Sequence, residues 1–324
     1  MSVCIVCEIG SNHDGDIKKA RQMINSAKNC GADSVKFQIF KADTMYSKNT
    51  RDFDKYINVY QMIKNLEVPL SFFSECNKIC LDNNIEFMAT PFDEDSVDFL
   101  FNLGVKRLKI ASFEFSDARL VKYISETGLP IVASTGLASM NDVRDFLDIS
   151  CASDITLLHC NSAYPTPDKD VHLRAMELLK MFGTKVGYSD HSEGILAPVL
   201  SVSMGACFIE KHFTLDRTSD GPDHAFAVEV EQFTKMVNLI RQSEIMLGQI
   251  NFDRSESELN MAYAKRGIVA NKFILKGKVI EKEDITTIRP ENGISASRYF
   301  NVIGKVACCD IEEKEAITDA SIKS

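Results

Sequence analysis

Two histidines close apolar, strand-like runs in the second half of the chain: His191 after VGYSD and His212 after FIEK. Two imidazoles with waters and a nearby carboxylate suit a divalent ion of intermediate hardness, Mn²⁺ first, with Mg²⁺, Fe²⁺, Co²⁺ or Zn²⁺ as alternatives. The carboxylate is Glu8, at the end of the first apolar run. Lys36 and Lys109, with the hydroxyls of Thr90, Ser112, Ser134 and Ser189, form a plausible cradle for a phosphate and a carboxylate. Lysine supplies point charge, and hydroxyls supply directed donors. A Schiff-base lysine would make the protein an aldolase instead, and it would need a depressed pKa. Taken singly, each of these residues reads as an ordinary ion pair or strand-end hydrogen bond. Their recurrence at one end of successive strands, together with Gln38, Glu114, His159, Asn161, Tyr164, Asp190, Glu210 and Lys211, points to a shared site. His172 falls in a helical pattern and reads as surface, whereas His224, in DGPDHAF, could face the same site.

The elements that must position them are short β-like runs followed by turns and helical patterns. Strands are expected at Val3–Ile9, Ser34–Gln38, Glu86–Thr90, Arg107–Ser112, Pro130–Ser134, Ile155–Cys160, Lys185–Ser189 and Cys207–Phe213. Helical periodicity appears at Ile17–Cys30 and near Ser71–Asp82, Asp95–Asn102, Ala118–Thr127, Asn141–Leu147, Val171–Met181 and Glu193–Met204. Gly31, Gly104 and Gly128 supply left-handed helix stops. Eight βα units in roughly 215 residues are the arithmetic of an α/β fold of the TIM (β/α)8 barrel type, whose functional face is the C-terminal end of the strands. A doubly wound sheet would carry a glycine-rich phosphate turn after its first strand. Here that strand runs into EIGSNHDG. The long stretch Lys41–Val68, with Tyr46, Phe53, Tyr56 and Tyr60, reads as an excursion over one barrel end. After a helical run at Val230–Leu247 the texture changes, and short strand-like pieces (GIVANKFI, KVIEKEDITTIRP, VIGKVACCDI, AITDASI) follow. The expected organisation is a catalytic barrel over 1–248, a linker over 249–264 and a small β-rich domain over 265–324.

The chain has 324 residues, 45% hydrophobic and 26% charged, with a formal net charge of −9. This is a globular composition, and its sign argues against a protein built mainly to coat nucleic acid or sit on anionic lipid. Most of the ten cysteines lie in apolar runs, as buried free thiols do. Cys4/Cys7 and Cys76/Cys80 have loosely metal-like spacing, but Cys4 and Cys7 fall in a strand and no second ligand pair accompanies them. No signal-like segment precedes the first apolar run and no 18-residue apolar stretch follows, so a reduced, soluble, cytoplasmic protein is expected.

At these residues the sequence resembles the sialic acid synthase family, the phosphoenolpyruvate-dependent nonulosonate synthases. The matching pieces are CEIGSNHDGD, GADSVKFQIF, MATPFDEDSV, LKIASFE, ASTGLAS, LLHCNSAYPTP, VGYSDHSEG and FIEKHFTLDRTSDGPDHAF. IRPENGIS and VIGKVACCDIEEKEAI resemble that family's antifreeze-like (SAF) domain. EKHFTLD followed by GPDH, with an antifreeze-like tail, is the specific combination.

The resemblance implies an enzyme. In it, phosphoenolpyruvate condenses through C3 with the open-chain aldehyde of an N-acylated hexosamine, water adds at C2 and phosphate leaves. It implies that Lys36, Thr90, Lys109, Ser112, Ser134 and Ser189 hold phosphoenolpyruvate, that His191 and His212 bind the metal, and that Glu8 stands beside the metal-bound water. No organic cofactor is implied. Gln38, Glu114, Tyr164 and Asp223 would face the sugar. Arg289 would reach the N-acyl group across a domain-swapped homodimer. Members of the family often carry an asparagine, contacting phosphoenolpyruvate, where this chain has Ser162. A serine there can still donate a hydrogen bond. N-acetylmannosamine, giving N-acetylneuraminate, is the first acceptor expected. The alternatives are the 2,4-diacetamido sugar leading to legionaminate, and the pseudaminate precursor. GPDHAF resembles neuraminate and legionaminate synthases more than pseudaminate synthases, where serine commonly follows the aspartate.

Overall fold

Each strand of the first half of every βα unit sends alternate side chains to two environments. Val6, Met88, Val132, Leu158 and Phe208 meet inside as one apolar plug. The intervening residues, among them Ile5, Cys7, Val35, Phe37 and Ile209, pack outward against the helices in a second, larger core. A computed structural model describes residues 2–48 and 58–324. It contains eight parallel strands: β1 (Cys4–Gly10), β2 (Ser34–Ile39), β3 (Glu86–Pro91), β4 (Leu108–Ile110), β5 (Ile131–Ser134), β6 (Ile155–Cys160), β7 (Lys185–Asp190) and β8 (Phe208–His212). Helices at Ile17–Asn29, Leu70–Asp82, Glu94–Leu103, Ala118–Glu126, Met140–Ile149, Ala175–Lys180, Leu196–Ser203 and Val230–Leu247 follow them in turn. Asp16, Asp93, Asp117 and Ser139 start four of these helices by accepting first-turn backbone N–H groups.

The strand order β3-β2-β1-β8-β7-β6-β5-β4 curls the sheet into a nearly closed (β/α)8 barrel. β3 and β4 lie side by side without a backbone ladder. At the base of that seam Arg107 makes a two-point contact with Glu86, at 2.8 and 3.1 Å.

The eight strands fall where the sequence places them, with three informative differences. β4 is only Leu108–Ile110, because a turn closed by Glu114 N–H to Ala111 O (3.2 Å) puts Ser112 beyond the strand. The sixth helix begins at Ala175 rather than Val171, and His172 has φ +45, which no α-helix accommodates. His172 is exposed, as expected. The seventh begins at Leu196 rather than Glu193, after Gly194 at φ +75. In the excursion after β2, short helices occupy Ala42–Met45 and Val59–Leu66, and the Tyr60 hydroxyl donates to Asp43 (2.7 Å). Phe53 and Tyr56 lie outside the described residues.

Residues Met1–Gly248 form one compact unit and Gln249–Ser324 a second. The second is built on two small antiparallel sheets, Gly267–Ala270 with Ile285–Ile288 and Val306–Ala307 with Ile322–Lys323. Its own core gathers Ile268, Ile274, Ile280, Ile285, Ile311 and Ile317. Among the described residues no helix is long and apolar enough to cross a membrane.

The apolar plug depends on Gly187. A Cβ there would lie 2.4 Å from the Phe208 carbonyl oxygen and 2.6 Å from Leu158 Cδ2. Gly187→Ala should therefore lower stability by about 3 kcal/mol, as overpacking of a rigid interior does. Urea denaturation measures it, and an unchanged midpoint would show that β7 and β8 can separate freely.

Candidate active site

Strand register assembles the polar ring. Glu8 on β1 pairs with Lys36 on β2 and with His212 on β8. Gln38 on β2 pairs with Thr90 on β3, and Ser189 on β7 pairs with both Cys160 on β6 and Glu210 on β8. One cavity at the C-terminal mouth is lined by Glu8, Lys36, Gln38, Thr90, Lys109, Ser112, Ser134, Tyr164, Ser189, His191, Glu210 and His212, together with Phe92 and Ala111.

Its floor is a charge network. Lys36 Nζ sits 3.0 Å from Glu8 Oε2 and 3.5 Å from Glu210 Oε1, and donates to Thr90 Oγ1 at 3.2 Å. Lys109 Nζ donates to Ser134 Oγ (2.6 Å) and to the Ile110 carbonyl (3.0 Å), and lies 4.0 Å from Glu210 Oε1. Ser189 Oγ donates to the same Glu210 oxygen at 3.1 Å, and Gln38 donates to Glu8 Oε1 at 2.8 Å. All four charged residues are at most 4% exposed. Burial raises the Glu8 carboxyl above the usual range, with Lys36 pulling against it. Burial also acts on Glu210, but Lys109 and Lys36 outweigh it and hold that carboxyl low. Burial lowers Lys36, yet Glu210 and Glu8 more than offset it, so its ammonium is reinforced. Lys109 has one distant carboxylate, and burial leaves its pKa below the ordinary value.

The two histidines stand above this floor with ring centroids 5.4 Å apart. His191 Nδ1 donates to the Asn161 carbonyl at 2.7 Å, which leaves Nε2 free. Burial depresses the His212 imidazole well below its usual value. Its Nδ1 is buried without a hydrogen-bond partner, 3.6 Å from Asp223 Oδ2. Two imidazole nitrogens, His191 Nε2 and the unpartnered His212 Nδ1, fit a divalent ion that keeps waters or substrate oxygens in its other positions. Among the described residues no group of three or more His, Cys, Asp or Glu side chains forms a metal site. Tyr164 packs on His191 at 4.1 Å between centroids and on Phe226 at 5.2 Å.

Asp223, Glu114 and Ser162 lie around the cavity rather than on its lining. Asp223 touches the mouth through Gly10: a Cβ there would be 2.9 Å from Asp223 Oδ2 and 3.4 Å from both Gln38 Nε2 and Glu8 Oε1. Burial raises Asp223 to about 6. Burial likewise raises Glu114 to about 7, and its Oε2 has no partner. Tyr46, half-buried in the excursion, has its phenol pushed up by burial and then by the Glu114 charge, so the excursion reaches this side of the mouth. Asn161 and Ser162 separate cleanly. The Asn161 side chain is spent on Asp170 O (3.1 Å) and Ala163 N (2.9 Å). Ser162 Oγ is buried without a partner beside Gly136 and Ser112, and Gly136 N–H donates to Ser112 Oγ at 3.1 Å. Arg289 belongs to the second unit and is exposed there. His159 points out of the barrel, donating to Val171 O at 2.7 Å. His13 is buried against Phe72, and burial lowers it to about 4. His224 is buried and absent from the cavity lining.

Sequence reasoning noted Glu210 but gave it no role. Its signal was parity, two residues before His212 on one strand and thus facing the same way. Gly136, Phe92 and Ala111 carried no comparable signal.

Residues 23–252 match the model of the NeuB family, and residues 265–323 match the SAF domain. The chain belongs to the NeuB family. It is 40% identical over 320 residues to the N,N'-diacetyllegionaminic acid synthase of Legionella pneumophila, covering 94% of this chain and 90% of the relative. It is 38% identical to the enzyme of the same name from Campylobacter jejuni, covering 97% and 98%. A crystal structure of the N-acetylneuraminic acid synthetase of Leptospira borgpetersenii in complex with citrate superposes with a TM-score of 0.74, at 32% identity, over 81% of this chain and 90% of that one. As a NeuB-family protein with a C-terminal SAF domain, the chain is a phosphoenolpyruvate-dependent nonulosonate synthase of the carbon–carbon bond-forming transferase class. The family's substrates are phosphoenolpyruvate and an N-acylated hexosamine, and it uses a divalent metal.

Glu114 makes the site's electrostatics measurable. Its folded pKa of about 7 lies above the ordinary 4.5. A raised carboxyl contributes stability that is complete below the unfolded value and is lost as pH rises through the folded one. Glu114→Gln should thus match the wild type near about pH 4 and exceed it by about 2 kcal/mol near about pH 8. Thermal denaturation at both pH values checks this, and a gap that does not grow with pH would remove the desolvation argument.

Proposed function

We propose that this protein condenses phosphoenolpyruvate with the open-chain aldehyde of 2,4-diacetamido-2,4,6-trideoxymannose, forming N,N'-diacetyllegionaminate and phosphate. The observation that carries the condensation is the pair of buried ammonium groups, Lys36 and Lys109, facing one cavity with Thr90 and Ser134 hydroxyls bonded to them. Such a floor fits a ligand bearing both a phosphate and a carboxylate. The choice of sugar is supported by the two legionaminic acid synthases at 40% and 38% identity, against 32% for the neuraminic acid synthetase. These relatives favour this acceptor over N-acetylmannosamine.

In this reading Lys36, Lys109, Thr90, Ser112, Ser134, Ser162 and Ser189 hold phosphoenolpyruvate with C3 facing the aldehyde carbon. The C3 carbon attacks that carbon, water adds at C2, and the C–O bond to phosphate breaks to leave the 2-keto acid. Glu8, whose raised carboxyl faces Lys36 and Gln38, trades a proton with the incoming water. Glu210 keeps both lysines ionised and aimed. His191 and His212 would hold the divalent ion, Mn²⁺ first, which when bound polarises the aldehyde oxygen. Gln38, Glu114, Tyr164 and Asp223 orient the sugar. Arg289 serves its N-acyl group in a homodimer with exchanged small domains, where a planar donor fork suits an acyl oxygen.

Phosphate release from phosphoenolpyruvate, run with Mn²⁺ against a panel of N-acyl hexosamines, tests the assignment. The 2,4-diacetamido sugar should exceed N-acetylmannosamine by about 10-fold or more in kcat/KM. The reverse ranking would return the assignment to a neuraminate synthase. Exhaustive chelation should abolish release and Mn²⁺ restore it.

Separate kinetics for the two substrates divide the roles. Lys36→Met and Lys109→Met should each lower kcat/KM for phosphoenolpyruvate by about 100-fold, roughly 2.7 kcal/mol, with a smaller effect on sugar KM. Arg289→Ala should instead weaken use of the N-acylated sugar, with a smaller effect on phosphoenolpyruvate. Unchanged phosphoenolpyruvate kinetics in either lysine variant would remove that residue from the anion site.

A further inference from the structure

Asp223 reaches the mouth on a loop, and its carboxylate has little to hold it. Its Oδ2 lies 3.6 Å from His212 Nδ1, and a Cβ on Gly10 would stand 2.9 Å from the same oxygen. The next residue, His224, turns the other way and is fully buried, at 0% exposure. Its Nδ1 lies 2.6 Å from Thr214 Oγ1 and its Nε2 3.3 Å from Asp14 Oδ1. A carboxylate only accepts, so Nε2 donates to Asp14, while Nδ1 bonds to the Thr214 hydroxyl, which also donates to Asp216 O at 3.1 Å.

Each partner is itself fixed. Thr214 follows β8, and its N–H donates to Val228 O at 3.0 Å. Asp14 sits in the turn after β1, ion-paired with Lys19. Gly221 is the companion of this arrangement: at φ +152, a Cβ there would stand 2.7 Å from His224 Cδ2. One ring thus joins the turn after β1, the segment after β8 and the loop that bears Asp223. No atom of it lines the cavity.

We propose that His224 is a positioning residue: its buried hydrogen bonds to Thr214 and Asp14 set the place of Asp223 beside His212 and so tune binding of the acceptor sugar. The proposal rests on the reading that Asp223 contacts that sugar. A ring that holds only the loop has no reason to affect phosphoenolpyruvate, whose cradle lies on β2 to β7.

The test uses the full chain with four variants. His224→Ala removes both bonds, His224→Asn keeps an amide near Thr214, and His224→Gln keeps one near Asp14. Asp14→Ala removes one partner whose side chain is 41% exposed, so the core stays intact. His224→Ala should raise acceptor KM by about 10-fold while phosphoenolpyruvate KM stays within about 2-fold. The Asn and Gln variants should recover part of this, and Asp14→Ala should shift acceptor KM the same way by about 3-fold. Amide hydrogen exchange across residues 217–227 should quicken in His224→Ala and Asp14→Ala, a readout that needs no turnover. An unchanged acceptor KM, an equal loss for both substrates, or unchanged exchange in a folded variant would each overturn the proposal. If His224→Ala fails to fold, Asp14→Ala decides by the same measures. If the wild type releases no phosphate with any hexosamine, the functional reading fails separately. Exchange then decides the positional claim: faster exchange confined to the loop supports it, and unchanged exchange ends it.

Discussion

Two ammonium groups and two carboxylates share the barrel mouth with almost no solvent exposure, and the surrounding structure keeps them matched. Lys36 and Lys109 are 3% and 2% exposed, Glu8 and Glu210 0% and 4%. Isolated charges at such burial are strongly disfavoured, so each must face a partner in a fixed place. The parallel ladders meet that demand. Register alone brings Glu8 beside Lys36 and His212, and Ser189 beside Glu210. The apolar plug beneath, with Gly187 allowing Phe208 and Leu158 to close in, gives the network a dry floor. Glu210 is the pivot, because both lysines lean on its Oε1.

Much of this is legible in the chain. Short apolar runs with a polar residue near their ends mark seven of the strands to within one residue, because a strand buried on both faces leaves few other patterns. The shorter β4 is invisible from sequence: LKIAS reads as continuous strand, and only the tertiary turn at Ala111 ends it. The delayed start of the sixth helix escapes notice for a similar reason, since the left-handed backbone of His172 has no glycine to announce it.

The site is legible by type and less so by contact. Strand-end lysines and histidines stand out because apolar residues are expected there. Asn161 and Ser162 could not be separated by their types, since either can donate. The distinction comes from where the loop sends each side chain: Asn161 stitches the loop to Asp170, and Ser162 turns inward beside Gly136. Glu210 stayed without a role because its importance lies in being shared by two lysines, a relation between strands far apart in sequence. The acceptor is also beyond the motifs, and it is the likeness to legionaminate synthases, rather than any single residue, that supports the proposed one over N-acetylmannosamine.

The unladdered seam between β3 and β4 gives the barrel the mechanics of a split ring. Lys36 with Thr90 stands on one lip, and Lys109 with Ser134 on the other. The hydrogen-bonded path between the lips runs the long way, through β2, β1, β8, β7, β6 and β5. The Arg107–Glu86 fork clamps the seam at its base, whereas at the mouth no backbone bond must break for the lips to part. An anion spanning both ammonium groups would be the clasp, bridging the gap where the protein's own backbone leaves it undone.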